Sequence, residues 1–504
     1  MPGILGGLFD GFLIALQPNN LIFSFLGCLL GTLVGVLPGL GPTATISLLL
    51  FVTIKLPPVT AIIMLAGIYY GVMYGGSTTS ILVNIPGEAS SVVTCLDGHQ
   101  MARQGRAGPA LGISAFGSFI AGTIGLVLLT VIAPILAETA LKFGPPEYFA
   151  LMVMGLIIVS FLGSGPLWKS LLMAAFGLFF STIGVDTFTG TARFTFGILD
   201  LMDGVGIAPV AMGLFGFGEV LINLEQSTNR WIIDTKIKGL FPTIRDWADS
   251  IKPIFRGTLI GFFLGVLPGG GSIISSFFSY AIEKRISKNP EKFGKGAIEG
   301  VAGPESANNS ATAGSFVPLL TLGIPAHSVM ALLLGALIIH GVQPGPLLLQ
   351  QHPEIFWGTI SSMYIGNIML LVLNLPLIPL WVQILKVPYK YLFPCILLIV
   401  LIGAYTLNNS LAEVMITIFF GFIGYVCRKF KFDIAPIVLA LVLGPILETA
   451  LRRSLLMSNG SPMIFVTSPI SLMILIVAIV TLMSSVIPWL KGKRKAMETL
   501  NYSD

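Results

Sequence analysis

The chain has little charge. Only 10% of its 504 residues are Asp, Glu, Lys or Arg, while 54% are hydrophobic. A soluble domain carries about 25% charged residues. With a mean hydropathy of +0.91, that deficit excludes an ordinary soluble protein. Cysteine is scarce too. Cys28, Cys95, Cys395 and Cys427 stand singly, mostly in apolar runs, with no CxxC pair. They read as packing residues, which argues against a disulfide framework or a metal site. The G-x-x-x-x-G-K-[ST], H-E-x-x-H and G-x-S-x-G patterns are all missing. ATP hydrolysis by a phosphate loop is thereby excluded, and soluble-enzyme chemistry loses its usual signatures. Energy for any transport must come from an ion gradient or another subunit. The N-terminus has no basic n-region, so no cleaved signal peptide is expected. The net charge of +5 is accounted for by loop lysines and arginines and needs no nucleic-acid partner.

What is present is apolar sequence in runs of about 15–30 residues, the length of membrane helices and too long for barrel strands. The expected fold is an all-α polytopic membrane protein. One string occurs twice, Gly35-Val-Leu-Pro-Gly-Leu-Gly41 and Gly265-Val-Leu-Pro-Gly-Gly-Gly271, 230 residues apart (265 − 35). Other landmarks recur in the same order. Ile85-Pro86 matches Ile324-Pro325, Gly108-Pro109 matches Gly345-Pro346, and Ile207-Ala208-Pro209 matches Ile434-Ala435-Pro436, while Gly163, Ser170 and Gly184 match Gly403, Ser410 and Gly424. The chain therefore divides into an N-terminal segment (1–17), repeat one (18–225), a cytoplasmic linker (226–253), repeat two (254–450) and an extra transmembrane helix with a basic tail (451–504). Apolar runs are expected near 21–54, 62–96, 110–136, 148–163, 168–185 and 205–223, with counterparts near 257–282, 300–340, 355–384, 391–407, 411–427 and 434–450.

The distribution of basic residues orients these runs. If each glycine-proline run is a re-entrant hairpin, each repeat crosses five times and the second is inverted. Placing the linker in the cytoplasm then puts 23 of the 28 basic residues inside, leaving Lys55, Lys142, Arg193, Arg452 and Arg453 outside. The expected architecture is two inverted-topology repeats with broken helices or hairpins, about eleven full crossings plus two hairpins.

Broken backbone at membrane depth is tolerated where it lines a cavity or is buried in protein. A half-helix that begins there points unpaired N–H groups into the cavity, which suits an anion without a lysine in lipid. Carbonyls and half-helix C-termini suit a cation. The alternative is that glycines only permit close packing and prolines only kink. Duplication favours a site, built on Pro38, Gly39, Gly41, Thr43 and Thr45 in repeat one, and on Pro268, Gly269, Gly270, Gly271 and Ser272 in repeat two.

A polar stretch follows each break, Tyr74–Ser91 and Gly303–Ser315, the latter continuing to Leu322–Ser328. Gly76, Ser77, Thr78, Thr79, Ser80 and Asn84 in the first, and Ser306, Asn308, Asn309, Ser310 and Thr312 in the second, offer neutral oxygens and donors. Interhelical hydrogen bonding is the alternative use. Glu88 and Glu305 are carboxylates within membrane-flanked sequence, each beside a Pro-Gly or Gly-Pro turn. They are either proton carriers or ion partners, or else wetted helix caps. His327 is a weaker candidate, and Asp97 and His99 are expected to be solvated.

The Gly31–Gly41 string, the Tyr74-Gly-Gly-Ser-Thr-Thr-Ser-Ile-Leu-Val-Asn-Ile-Pro-Gly-Glu stretch, and Gly303-Pro-Glu-Ser-Ala-Asn-Asn-Ser with Leu322-Gly-Ile-Pro resemble the large membrane subunit of the tripartite tricarboxylate transporters, the TctA family. The resemblance covers essentially the full chain. It implies a bacterial inner-membrane permease working with a small membrane subunit and a periplasmic solute-binding protein. The implied cargo is a carboxylate such as citrate, and the implied coupling ion is Na+ or H+, with no other cofactor and no metal. The family's motifs fall on the stretches named above. An anion-selective channel using the same breaks as a filter is the rival reading.

Overall fold

The computed structural model describes residues 3–37, 41–162, 166–225, 239–269, 271–385 and 389–500. In chain order its helices are α1 (Ile4–Ala15), α2 (Pro18–Val36), α3 (Pro42–Thr53), α4 (Pro58–Val83), α5 (Val92–Arg103), α6 (Ala107–Ala140), α7 (Pro145–Leu162) and α8 (Leu167–Ser181). A short hairpin, β1 (Gly184–Val185) and β2 (Ala192–Arg193), precedes α9 (Ile207–Ala211), a π-helical turn and α10 (Gly218–Glu225). Then come α11 (Ile244–Val266), α12 (Gly271–Ile286), α13 (Glu299–Leu322), α14 (Ser328–Ile339), α15 (Leu348–Gln351) and α16 (Pro353–Asn374). The chain continues through α17 (Ile378–Leu385), α18 (Tyr389–Asn408), α19 (Leu411–Lys429), α20 (Ala435–Met457), α21 (Ile464–Thr467) and α22 (Pro469–Leu500). Among the described residues, seven helices are long and apolar enough to cross a membrane. The protein is an all-α polytopic membrane protein.

Both glycine-proline runs are interrupted. α2 ends at Val36, Leu37 is extended (ψ 113°), and α3 restarts with Pro42 in its first turn, where the missing N–H is no loss. α11 ends at Val266, and Gly269 (φ 76°) and Gly271 (φ 47°) turn the chain into α12. Pro38, Gly39 and Gly270 lie outside the described residues. Two expected continuous runs prove broken. The run expected over 62–96 stops at Asn84 (φ 58°), and the one expected over 300–340 stops at Gly323 (φ 68°). Each left-handed residue closes a helix just before an Ile-Pro pair, and proline disfavours helix at the residue preceding it.

The chain folds as two compact units, residues 1–141 with 206–426, and residues 142–205 with 427–504. In the first, α2 packs on α4 through Gly27, Gly31 and Gly35. A Cβ there would stand 2.3–2.5 Å from the carbonyl oxygens of Met64, Ile68 and Val72. α11 packs on α13 the same way. A Cβ on Gly257, Gly261 or Gly265 would stand 2.1–2.3 Å from the carbonyl oxygens of Gly303, Ala307 and Ala311. These are small-xxx-small contacts, in which missing side chains let backbones approach. α13 is 24 residues long and buried from Gly300 to Thr321 although rich in Ser, Thr and Asn. Its polar groups thus face protein on every side.

Asp97 departs from expectation. It is fully buried on α5, accepting N–H bonds from Gly294, Gly296 and Ala297 at 2.8 Å each and the Tyr280 hydroxyl at 2.9 Å. A glycine turn focuses three backbone donors on one carboxylate, which offsets its desolvation.

The second unit holds α7, α8, α20 and α22. Gly177 of α8 lies against the Ile437 carbonyl of α20, and Ser471 of α22 donates to Pro146 O of α7 at 3.2 Å. Its hairpin carries an ion-pair cluster. Asp186 accepts from Phe188 N–H (2.8 Å) and Thr189 N–H (3.2 Å) and meets Arg452 at 2.9 Å. Glu448 joins Arg193 (2.8 Å) to Arg452 (2.7 Å). The Phe188 N–H above all, then Thr189 N–H and Arg452, pull the Asp186 carboxyl down to about 2 against the opposing effect of burial. The free-chain value is about 3.9, so this contribution is complete above that pH and is lost as pH falls through the folded value. Pepsin cleavage within 186–205 is therefore expected to rise as pH drops from about 4 to about 2, corrected for the enzyme's rate on unfolded protein. Asp186→Asn should flatten the profile; an unchanged profile would dissociate the hairpin from Asp186.

Candidate functional site

Three helix N-termini converge in the first unit. α3 begins at Gly41, α12 at Gly271 and α14 after His327. Thr43 Oγ1 and Ser328 Oγ are 3.1 Å apart, joining α3 to α14. A Cβ on Gly271 would lie 3.7 Å from the His327 ring, and Gly269 N–H donates to Ala326 O at 2.5 Å, joining α12 to the same turn. Neither α3 nor α14 has a side-chain cap, so first-turn N–H groups are left for another acceptor. No Lys or Arg occurs in 37–54, 267–283 or 320–339. The local positive potential is that of the peptide dipoles.

His327 and Tyr69 form one wall. His327 Nε2 is 3.1 Å from the Tyr69 hydroxyl, and the hydroxyls of Thr312, Ser315 and Ser272 lie within reach of that phenol. Glu88 and Asn308 form another. Glu88 caps a short turn, accepting from Ser90 N–H at 2.7 Å and Ser90 Oγ at 2.5 Å, and Asn308 Nδ2 approaches it at 3.5 Å. Asn308 Oδ1 is buried and has no partner among the described residues. Gly76 makes room for Glu88, since a Cβ there would sit 2.8 Å from Glu88 Cγ. The two walls correspond. Position 308 is 69 shifted by 239, and 327 is 88 shifted by 239, the offset that relates the two Ile-Pro pairs. The contact of 69 with 327 thus maps onto the contact of 308 with 88.

Glu305 sits on α13 at 1% exposure. Ser77 Oγ donates to Oε2 at 2.6 Å, Thr94 Oγ1 donates to Oε1, and Ser114 is a third hydroxyl beside the carboxyl. Thr78 is buried on the same turn of α4 as Ser77. The remaining predicted residues divide by what they touch. Thr45 donates to Gly41 O (2.9 Å) and Thr312 to Asn308 O (3.0 Å), each within its own helix. Thr79 donates to Val36 O at 2.5 Å, closing the end of α2. Ser80 bonds Gly76 O at 3.0 Å and Ser91 Oγ at 2.8 Å. Asn309 donates to Ser118 of α6 at 2.7 Å, and Ser306 and Ser310 lie against Gly117 and Gly125 of that helix. Pro268 lies in the second break, and Asn84 is the left-handed cap described above.

Tyr69, Thr94 and Ser114 were not singled out from the sequence. Tyr69 had a signal, since it stands at the repeat-equivalent position of Asn308. Thr94 and Ser114 had none, being single hydroxyls on otherwise unremarkable helices.

Residues 21–439 match the family model described as "Tripartite tricarboxylate transporter TctA family". Two curated relatives come from Agrobacterium vitis. An uncharacterized 52.8 kDa protein in the TAR-I ttuC' 3' region is 50% identical over 494 residues, 98% of each chain. An uncharacterized protein in the TAR-II ttuC' 3' region is 52% identical over 234 residues, 46% of this chain and 97% of that one. No solved structure matches.

Proposed function

This chain belongs to the tripartite tricarboxylate transporter TctA family, and from that premise we propose that it is the permease subunit through which a carboxylate is imported. The cargo class is a tricarboxylate such as citrate, or a related organic acid. The observation that carries the reading is the meeting of the α3, α12 and α14 N-termini at the two chain breaks, lined by Thr43, Ser272, Ser328, His327 and Tyr69 and without a lysine or arginine. N–H groups, hydroxyls and an imidazole hold carboxylate oxygens, and peptide dipoles supply positive potential at modest desolvation. A fixed cation would bind the anion more firmly and release it more slowly.

The two halves act as inverted repeats around this site. Support comes from the matched contacts of Tyr69 with His327 and Asn308 with Glu88, and from the matched glycine packing of α2 on α4 and α11 on α13. Arg193 and Arg452, both assigned by loop charge to the outer face, share Asp186 and Glu448. Uptake is cation-coupled and depends on a periplasmic solute-binding protein and a small membrane subunit in a bacterial inner membrane.

The test is uptake by proteoliposomes holding all three components, using the carboxylate that co-purifies with the binding protein. Saturable, gradient-dependent uptake is expected; non-saturating anion conductance would replace the reading with a channel. Tyr69→Phe removes one hydroxyl from the wall and is expected to raise the half-saturation concentration about tenfold, the equivalent of one hydrogen bond. An unchanged half-saturation value would remove Tyr69 from the site.

A further inference from the structure

Among the described residues, Glu305 has no Lys or Arg paired with it. Its neighbours among ionisable groups are Glu88 at the cap of the 89–91 turn, Tyr74 on α4 and Cys95 on α5. None is a cation. The nearby charged residues on helices packed against α13 are engaged elsewhere. Arg256 of α11 holds Glu283 of α12 through two bonds of 2.8 and 2.5 Å, and Asp97 of α5 is closed on by Tyr280 and three backbone N–H groups. A buried carboxylate in this position is either neutralised or expensive.

What surrounds Glu305 is a set of hydroxyls. Ser77 and Thr94 each take one carboxylate oxygen, and Ser114 flanks them. A hydroxyl both donates and accepts, so this shell serves the ionised and the protonated carboxyl by rotating one O–H. The carboxylate and the hydroxyl oxygens are in direct contact, 2.6 Å for Ser77. Ser77 and Ser114 also line a cavity of about 10 Å³, roughly the room one water needs, together with Tyr74, Thr78 and Asn374. Asn374 is 4% exposed. Its Nδ2 is taken by Leu370 O (2.9 Å) and Thr32 Oγ1 (3.5 Å), while its Oδ1 has no partner among the described residues. That free acceptor on the cavity wall marks a place for a hydrogen-bond donor such as water, next to the hydroxyls that hold Glu305.

We propose that Glu305 carries the coupling proton, received and released through this hydroxyl-lined cavity. The inference rests on the reading of the chain as a carboxylate permease and names the coupling ion of that same machine. On the side of higher proton activity, water delivers a proton to one carboxylate oxygen, forming an O–H bond; on the other side that bond breaks and the proton returns to water. No electrons are transferred. Neutralisation removes the penalty of carrying an uncompensated carboxylate through the closed state, so the loaded carrier moves with Glu305 protonated. The repeat-equivalent position, 239 residues earlier, is Ala66. The carrier group therefore belongs to one repeat only.

The experiment is infrared difference spectroscopy on the purified full-length chain in lipid, titrated with and without sodium chloride. Above about pH 6, where exposed carboxyls are ionised, a protonated-carboxyl carbonyl band is expected to titrate in the wild type and in Glu88→Gln, and to be absent in Glu305→Gln. Sodium should leave the titration unmoved. Ser77→Ala should shift the band's frequency by removing its hydrogen-bond partner, which tests the assignment even if Glu305→Gln is poorly folded. A band retained in Glu305→Gln, absent from the wild type at every pH, or displaced by sodium overturns the proposal. A parallel proteoliposome assay follows carboxylate exchange against pH. The wild-type rate should fall up to roughly tenfold per pH unit on its alkaline limb, and Glu305→Gln, whatever its rate, should be flat. Failure of the permease reading is distinct, since the wild type would then exchange no carboxylate while the infrared result stood.

Discussion

Gly261→Leu is expected to leave no stably folded protein. A Cβ at Gly261 would stand 2.1 Å from the Ala307 carbonyl oxygen and 2.7 Å from its Cα. Both obstacles are backbone of α13, and α13 is buried from Gly300 to Thr321, so it has nowhere to retreat. Overpacking a core side chain costs about 1–3 kcal/mol. Here two helices must part along a contact that repeats at Gly257 and Gly265, and the expected cost exceeds about 4 kcal/mol. Thermal unfolding followed by size-exclusion chromatography in detergent measures it. Gly3→Ala, where nothing lies within 4 Å, should be indistinguishable from wild type. A monodisperse Gly261→Leu protein with wild-type thermal stability would mean that α11 and α13 do not pack in this way.

Asn308→Ala should do the opposite, sparing the fold and sharply reducing transport. Asn308 is 1% exposed, and among the described residues its Oδ1 has no partner and its amide's one contact with another residue is the 3.5 Å approach to Glu88. Removing a buried polar group that is already unsatisfied relieves a penalty, so stability is expected to hold or rise. The function of such a group is realised when something binds. Losing one hydrogen bond to a charged ligand costs about 1.5–3 kcal/mol, or roughly 10- to 150-fold in uptake at low substrate. Uptake and melting temperature measured on the same preparation decide the matter. A fall in melting temperature with normal uptake would make Asn308 a structural residue. The contrast with Gly261 is instructive, because both residues lie in the same buried helix pair or on its contact, and only the chemistry of the atom removed or added separates their outcomes.

The breaks were legible because they are local. Proline lacks an N–H and glycine tolerates positive φ, so Gly35–Gly41 and Gly265–Gly271 announce interrupted helices without reference to any neighbour. Membrane character followed as directly from scarce charge and long apolar runs. The stops at Asn84 and Gly323 were also written in the chain, in the Ile-Pro pair that follows each, but the hydropathy of the surrounding runs concealed them. The hydroxyls were not legible in this sense. Thr45, Thr312 and Ser80 bond carbonyls four residues back in their own helices, whereas Ser77 and Thr94 reach across to Glu305. Serine and threonine in a helix satisfy themselves either way, and nothing in the one-dimensional pattern distinguishes the two uses.

By itself, then, the sequence determined a helical membrane protein, two interruptions, a duplicated order of landmarks and the family to which the chain belongs. Each of these depends on composition, backbone restriction or the order of residues along the chain. Only the tertiary structure decided that Tyr69 meets His327 while Asn308 meets Glu88, that Asp97 is buried under a glycine turn, and that Glu305 has hydroxyls but, among the described residues, no Lys or Arg beside it. Those are distances between helices remote in the chain, set by which small residues let backbones approach, and no local rule of conformation contains them.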